Sequence, residues 1–226
     1  NIIVLDAGVG IGYGSACNIG FEYLIKEEFE YGIVINQDGY LEKDAISLLV
    51  NEIESNDLCA ATMALSVGYA NNIVEPFFIS VYLSKLNILI SDLFSSQVKK
   101  SYEIEDLCGA CFALRISAIE KFEFVFDKLF HMYYEDQDLF KRLKSNGYSV
   151  FFVPKAIFHH KHSHTDPNEQ KYGMLIEKRT SHHVFSLLYR PVGLLRLFAS
   201  WLFLCLRNIV IQLLTFNLKQ FIVELL

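Results

Sequence analysis

Apolar runs of strand length alternate along this chain with amphipathic runs of helix length, and most apolar runs stop at turns rich in Gly, Asn or Asp. Asn1 to Asp6 reads as a short buried strand; the glycine run Gly8 to Gly14 follows, and a helix starts within Ser15 to Tyr23. Tyr31 to Asn36 reads as a strand with Gly32 to Ile35 buried, ending in Asn36-Gln37-Asp38-Gly39. Glu42 to Glu54 has helical spacing, with Ile46, Leu49, Val50 and Ile53 turned inward. Leu58 to Leu65 and Val150 to Val153 complete the readable strands. Strand-helix alternation predicts an α/β domain, a parallel or mixed sheet with helices on its faces. In such sheets ligands gather at the carboxyl ends of strands, so the turns are where chemistry is expected.

One helix stands out for its charge. Glu135, Asp136 and Asp138 fall within four positions, ahead of the stripe Leu139, Phe140 and Leu143. Lys141, Arg142 and Lys144 load its last turns and Gly147 follows, so acid opens the helix and base closes it, as the helix dipole favours. Asp138 fits a dipole partner. Asp136 heads the apolar stripe, which should turn it inward, where an unpaired carboxylate is costly. A carboxylate held there suits a general base.

The other candidates each admit a plainer reading. The glycine run lets backbone N–H groups approach an anion at a helix N-terminus, but no Gly-Lys-Ser/Thr follows, so it is not a P-loop. As a dinucleotide fingerprint its spacing is blurred. Asp38 stands where a ligand is expected, and it is equally a turn residue. Cys108 and Cys111 form a CxxC without a second pair, a weak signal for zinc; reduced thiols are the expectation for all five cysteines. Phe158 to Thr165 carries four histidines, at 159, 160, 162 and 164, expected on a loop after Pro154.

Charge divides the chain. From Lys178 onward six basic residues face Glu224 alone, about +5, which leaves about −11 for the rest of a chain whose net charge is −6. An acidic body argues against nucleic acid, and a basic, apolar tail argues for an anionic membrane surface. Leu194 to Leu214 is strongly apolar but interrupted by Arg196, Arg207, Asn208 and Gln212, a pattern that fits a helix lying in the interface better than one crossing it. Ile73 to Val98 is apolar and aromatic, with only Glu75, Lys85 and Asp92 charged, and reads as helical packing.

Taken together, Gly109-Ala110, an apolar run, Phe126-Asp127, Tyr133-Tyr134-Glu135-Asp136-Gln137-Asp138-Leu139, Arg142, Gly147-Tyr148, Pro154-Lys155-Ala156 and His160 occur in an order that resembles the acceptor half of the family 2 glycosyltransferases. The closest likeness is to the rhamnosyltransferase-like branch, over about Gly10 to His160. Gly12-Tyr13-Gly14 with Asn18 and Gly20 resembles the family's Asn-x-Gly-aromatic-Gly segment, with Gly10 in place of its leading Asn. Asn36-Gln37-Asp38 resembles the family's version of the metal-binding Asp-x-Asp, with Asn36 in place of the first acid.

The resemblance implies a GT-A nucleotide-sugar-binding fold over residues 1–165 with its first strands missing, since the family's opening strand and Asp-Asn-x-Ser segment would precede Asn1. A helical, membrane-associating tail over 166–226 would follow. It implies inverting transfer of a sugar from a nucleoside-diphosphate donor to a hydroxyl of a surface-polysaccharide or lipid-linked acceptor, on the cytoplasmic face of the cell membrane. Asp136 would be the base, with Glu135 orienting the acceptor or the helix start. Asp38 and His160 would hold Mg²⁺ or Mn²⁺, with His159 the rival for that place. Gly10, Gly12, Tyr13, Asn18, Asn36 and Gln37 would lie along the donor, and Gly109 and Ala110 beside the sugar or acceptor. A membrane-associated pseudoenzyme or scaffold of the same fold, which donor titration would expose, and a dinucleotide-dependent oxidoreductase are the competing readings.

Overall fold

The computed structural model describes residues 2–75, 78, 87–161 and 172–189, together with 198–199, 201–203, 205–207 and 209–210. Two compact units divide the chain, Asn1–His182 and His183–Leu226.

The first unit is built on a six-stranded mixed sheet. Its strands are β1 (Tyr31–Ile35), β2 (Gly39–Leu41), β3 (Cys59–Gly68), β4 (Tyr102–Ile104), β5 (Cys111–Arg115) and β6 (Ser149–His160), in the order β1-β5-β3-β6-β2 with β4 also paired to β6. Only β3 and β6 run parallel among these pairs; the others are antiparallel. The long central strands β3 and β6 are mostly buried, as expected of strands covered on both faces.

Alternation along β5 sorts the core into two halves. Phe112 and Leu114 face one cluster with Phe21 of helix α1 (Tyr13–Lys26) and Leu139 and Leu143 of a later helix, α4 (Glu135–Ser145). Cys111 and Ala113 face the other, with Ala45, Leu49 and Ile53 of α2 (Ala45–Glu54). Two further helices are α3 (Asn87–Phe94) and α5 (Tyr172–Tyr189). Arg115 closes the C-terminal end of α2, donating to the carbonyls of Ile53 and Asn56 and to that of Cys59.

Several expectations are corrected. Residues 2–6 form no strand, and Ile2 and Val4 are 95% and 86% exposed. A strand needs a neighbouring ladder for its backbone groups, and no described strand pairs with this run. Ile46 faces solvent, because α2 starts at Ala45 and turns Ala45, Leu49 and Ile53 inward instead. The sheet is mixed, as expected, but the short strands β2 and β4, three residues each, are not marked by the apolar pattern.

β6 is far longer than Val150 to Val153. Val153 pairs with Ala64 and Ile157 with Leu65, so the intervening Pro154-Lys155-Ala156 bulges out and the ladder resumes. Proline has no N–H for a ladder and is tolerated at such a bulge. His159 and His160 therefore lie in a strand rather than a loop; His162 and His164 fall outside the described residues, as do most of residues 76–86.

Candidate functional site

One end of the sheet collects the candidate residues. The carboxyl end of β1 leads into Asn36-Gln37-Asp38, and the antiparallel β5 begins beside it after Gly109-Ala110. The Asn36 N–H donates to the Ala110 carbonyl at 2.9 Å, which joins the two turns. At the same end β6 finishes at His160, opposite Gly39 of β2 and Gly68 of β3.

Helix α4 brings its first turn to Gly109. The Gly109 N–H donates to Asp136 Oδ2 at 2.8 Å, and the Gln137 N–H donates to Oδ1 at 2.8 Å. A Cβ on residue 109 would meet that oxygen at 3.4 Å, an ordinary van der Waals contact, so the turn lies directly against the carboxylate. Asp136 is half-buried at the rim rather than on the inward stripe; the core face of α4 is Glu135, Asp138, Leu139, Phe140 and Leu143. Burial raises the Asp136 carboxyl to about 6 against the lowering effect of its two amide donors.

Glu135 is buried, and its Oε2 has no hydrogen-bond partner among the described residues. Burial, then the neighbouring Asp136, raises its carboxyl to about 7. Tyr13, at the head of α1, donates its hydroxyl to the Gly109 carbonyl at 2.5 Å. The structure thus brings Tyr13, Gly109, Glu135 and Asp136 into one cluster of a titratable pair, a phenol and a turn. A carboxylate whose pKa burial raises, fixed by two backbone donors as Asp136 is, is suited to taking a proton.

The turn ahead of α4 is strained. Tyr133 and Tyr134 both adopt positive φ, 69° and 71°, which non-glycine residues avoid. Helix α5 holds this turn from outside. Ser181 Oγ donates to the Met132 carbonyl at 2.7 Å, Lys178 lies 5.7 Å from the Tyr133 ring centre, and the His182 ring lies 5.4 Å from that of Tyr134.

Asp38 and His160 meet. His160 Nε2 lies 3.2 Å from Asp38 Oδ1, and Nδ1 lies 3.2 Å from Glu75 Oε1. The hydrogen bond to Glu75, opposed by burial, raises the His160 imidazole above its ordinary range. His159, next along β6, points to the opposite face: its Nε2 is 3.1 Å from Glu42 Oε1 and its ring stacks on Tyr40 at 4.5 Å. The geometry gives His160, not His159, to Asp38. A carboxylate oxygen and an imidazole nitrogen in contact form a donor set that fits Mg²⁺ or Mn²⁺. Such ions commonly take few protein ligands and complete their shell with water and substrate phosphate. Among the described residues no group of three or more His, Cys, Asp or Glu side chains is placed to hold a metal ion, so Asp38 and His160 would supply only two protein ligands.

Other expected residues do structural work. Both amide atoms of Asn18 serve the backbone of Phe126: Nδ2 donates to its carbonyl and Oδ1 accepts its N–H, each at 2.8 Å. Asp138 is no mere dipole partner, since it forms a buried ion pair with Arg142 at 2.8 Å. At Gly12 a Cβ would overlap the carbonyl of His131, so glycine there serves close packing and a φ of 85°. Gly10 is exposed with open space where a Cβ would be, and Gln37 is exposed. Among the described residues no strand precedes the glycine run, which leaves the dinucleotide fingerprint without a strand ahead of it there. Glu75 was missed; it sits within an apolar run where one acid carries no pattern. Burial pushes the thiols of Cys59 and Cys111 up to about 12, far from a metal-binding thiolate.

A model of the family described as glycosyl transferase family group 2 matches residues 33–225. Among solved structures, one described as the crystal structure of GalNAc-T7 with UDP, GalNAc and Mn²⁺ aligns with a TM-score of 0.48 and 14% identity, covering 67% of this chain and 30% of that one. The chain therefore spans under a third of that protein's length. No curated protein matches the chain.

Proposed function

Starting from the chain's membership of glycosyl transferase family group 2, we propose that it moves a sugar from a nucleoside-diphosphate donor to an acceptor hydroxyl with inversion, Asp136 serving as the base. The observation that carries this is Asp136 itself: a carboxylate with a raised pKa, gripped by the amides of Gly109 and Gln137 at the end of the sheet where Asp38 and His160 meet. Asp136 takes the acceptor proton, with Glu135 orienting the acceptor or the helix start behind it. Asp38 and His160 would hold Mg²⁺ or Mn²⁺, which when bound neutralises the departing diphosphate as a Lewis acid. The Asn36–Asp38 and Gly12–Tyr13 turns lie along the donor, and Gly109 and Ala110 border the sugar or acceptor.

The order of motifs supports a hexosyl or deoxyhexosyl donor of the rhamnosyltransferase-like kind, and an acceptor among surface polysaccharides or lipid-linked glycans. The tail lies on the cytoplasmic face of the membrane. Its support is the basic excess from Lys178 onward and the exposure of Phe198, Trp201, Leu202, Phe203 and Leu206. No helix among the described residues is long and apolar enough to cross a membrane.

A scaffold that keeps the fold without donor binding is the second reading, favoured by the open surroundings of Gly8 and Gly10. Calorimetric titration with a panel of nucleoside-diphosphate sugars, with and without Mn²⁺, separates the two. Donor binding that requires Mn²⁺ and is weakened by both Asp38→Ala and His160→Ala is the expected result. The absence of binding across the panel would leave the scaffold.

A further inference from the structure

We infer that Glu75 is a positioning residue for His160: its buried carboxylate takes the Nδ1 proton side of the ring and thereby aims Nε2 at Asp38. The inference rests on the reading of Asp38 and His160 as the cation-binding pair, and it adds a residue that the motif pattern does not contain.

The backbone explains how Glu75 reaches this place. After β3 the chain turns back: the Gly68 N–H donates to the Ile73 carbonyl at 2.8 Å, Val74 bridges Val67, and the Glu75 N–H donates to the Ser66 carbonyl at 3.2 Å. This return lays Glu75 alongside the end of β3. Opposite His160 across the β3–β6 ladder stands Gly68, which has no side chain to intervene. The Ser66 hydroxyl donates to Glu75 Oε2 at 2.6 Å, so the carboxylate is itself held from behind.

A buried carboxylate is costly unless its oxygens are satisfied. Glu75 is only 9% exposed, and both of its oxygens lie 3.2 to 3.3 Å from the same ring nitrogen, Nδ1. The ring's other nitrogen faces Asp38, whose side chain is 39% exposed and so remains open toward the site. With Nδ1 donating to Glu75, neutral His160 keeps its lone pair on Nε2, the form a cation requires. A carboxylate behind a ligating imidazole both fixes the tautomer and makes the ligand more basic. His159 supplies the contrast within the same strand. Its ring stacks on Tyr40 and its Nε2 faces the half-exposed Glu42, but its buried Nδ1 has no hydrogen-bond partner among the described residues, so no carboxylate among them fixes its tautomer from behind.

Two measurements on the full chain test this: Mn²⁺ titration by calorimetry, and the ¹⁵N shifts of the His160 ring in metal-free protein in alkaline buffer. Glu75→Ala is expected to weaken Mn²⁺ binding about 10- to 100-fold and to move His160 away from the Nδ1–H tautomer. Glu75→Gln keeps an oxygen acceptor in the same place, so it should retain the tautomer and lose about two- to tenfold in affinity through the lost charge. Wild-type affinity and tautomer in Glu75→Ala would overturn the inference. Should Glu75→Ala not fold, undiminished Mn²⁺ affinity in Glu75→Gln would overturn it equally. If the wild type binds no Mn²⁺ while Glu75→Ala still shifts the tautomer, the positioning of the ring stands and the reading of the pair as a cation site falls.

Discussion

Two adjacent carboxyls, Glu135 and Asp136, share one helix turn but not one environment. Asp136 has two amide donors, whereas Glu135 Oε2 has none among the described residues. Replacing Asp136 with Asn should lower the transfer rate by about 10² to 10⁴ while leaving donor affinity nearly unchanged, which turnover and binding assays check together. Because the base must be ionised, the wild-type rate should rise with pH through a midpoint of about 6. The same groups set a stability trend. Their folded pKa values lie above the ordinary carboxylate range, so the folded state holds more protons than the unfolded one between pH about 4 and about 7. Stability contributed by these groups is thus greatest in acid and falls as pH rises through that window. Glu135→Gln should flatten the fall and raise the melting temperature above neutrality, as scans at several pH values would report. Asp136, Asp38 and His160 were singled out in the sequence because each sits in a motif at a strand or helix end, and the fold brings all three to one end of the sheet. Glu75 was not, since its partner lies 85 positions away and only folding brings them together.

At the level of elements, α4 is secured by one arginine. Arg142 pairs with buried Asp138, donates to the carbonyls of Phe124 and Val125, and lies over the Phe122 ring at 5.0 Å. Arg142→Ala would strand a buried charge and release the loop that leads to the strained tyrosine turn. Denaturant titration should show a loss of about 3 to 5 kcal/mol. Arg142→Lys should recover only part of it, because an ammonium lacks the planar fork that serves several acceptors at once. Helices were the more legible elements: the stripe Leu139, Phe140 and Leu143 reads straight off the spacing, and all three are buried. The short strands β2 and β4, three residues each, carry too little pattern to be seen. Ile2 to Leu5 misled in the opposite sense, since apolar β-branched residues signal a strand only when a neighbour supplies the ladder. Ile46 misled because a helix of ten residues offers few turns with which to define its inward face.

For the whole molecule, the tail carries its own test. Among the described residues beyond 197, Phe198, Trp201, Phe203, Leu206 and Ile209 are helical and each is more than half accessible. If the tail rests on a membrane, binding to vesicles should fall as anionic lipid is removed, by about 1 kcal/mol per basic residue near the surface. Alkaline carbonate should then release the protein; a chain that resists carbonate and exposes residue 226 on the far side would span the bilayer instead. The sheet has a further consequence, one of timing. Its central strand β3 borders β5 and β6, so neither neighbour exists until residues 111–115 and 149–160 have been made. Such distant pairings form slowly. During synthesis an apolar strand of ten residues therefore waits with both edges bare, a template for pairing between chains. The ribosome must deliver His160 before the parallel ladder closes, and the nascent protein is at its most aggregation-prone in that interval, when a chaperone has most to protect.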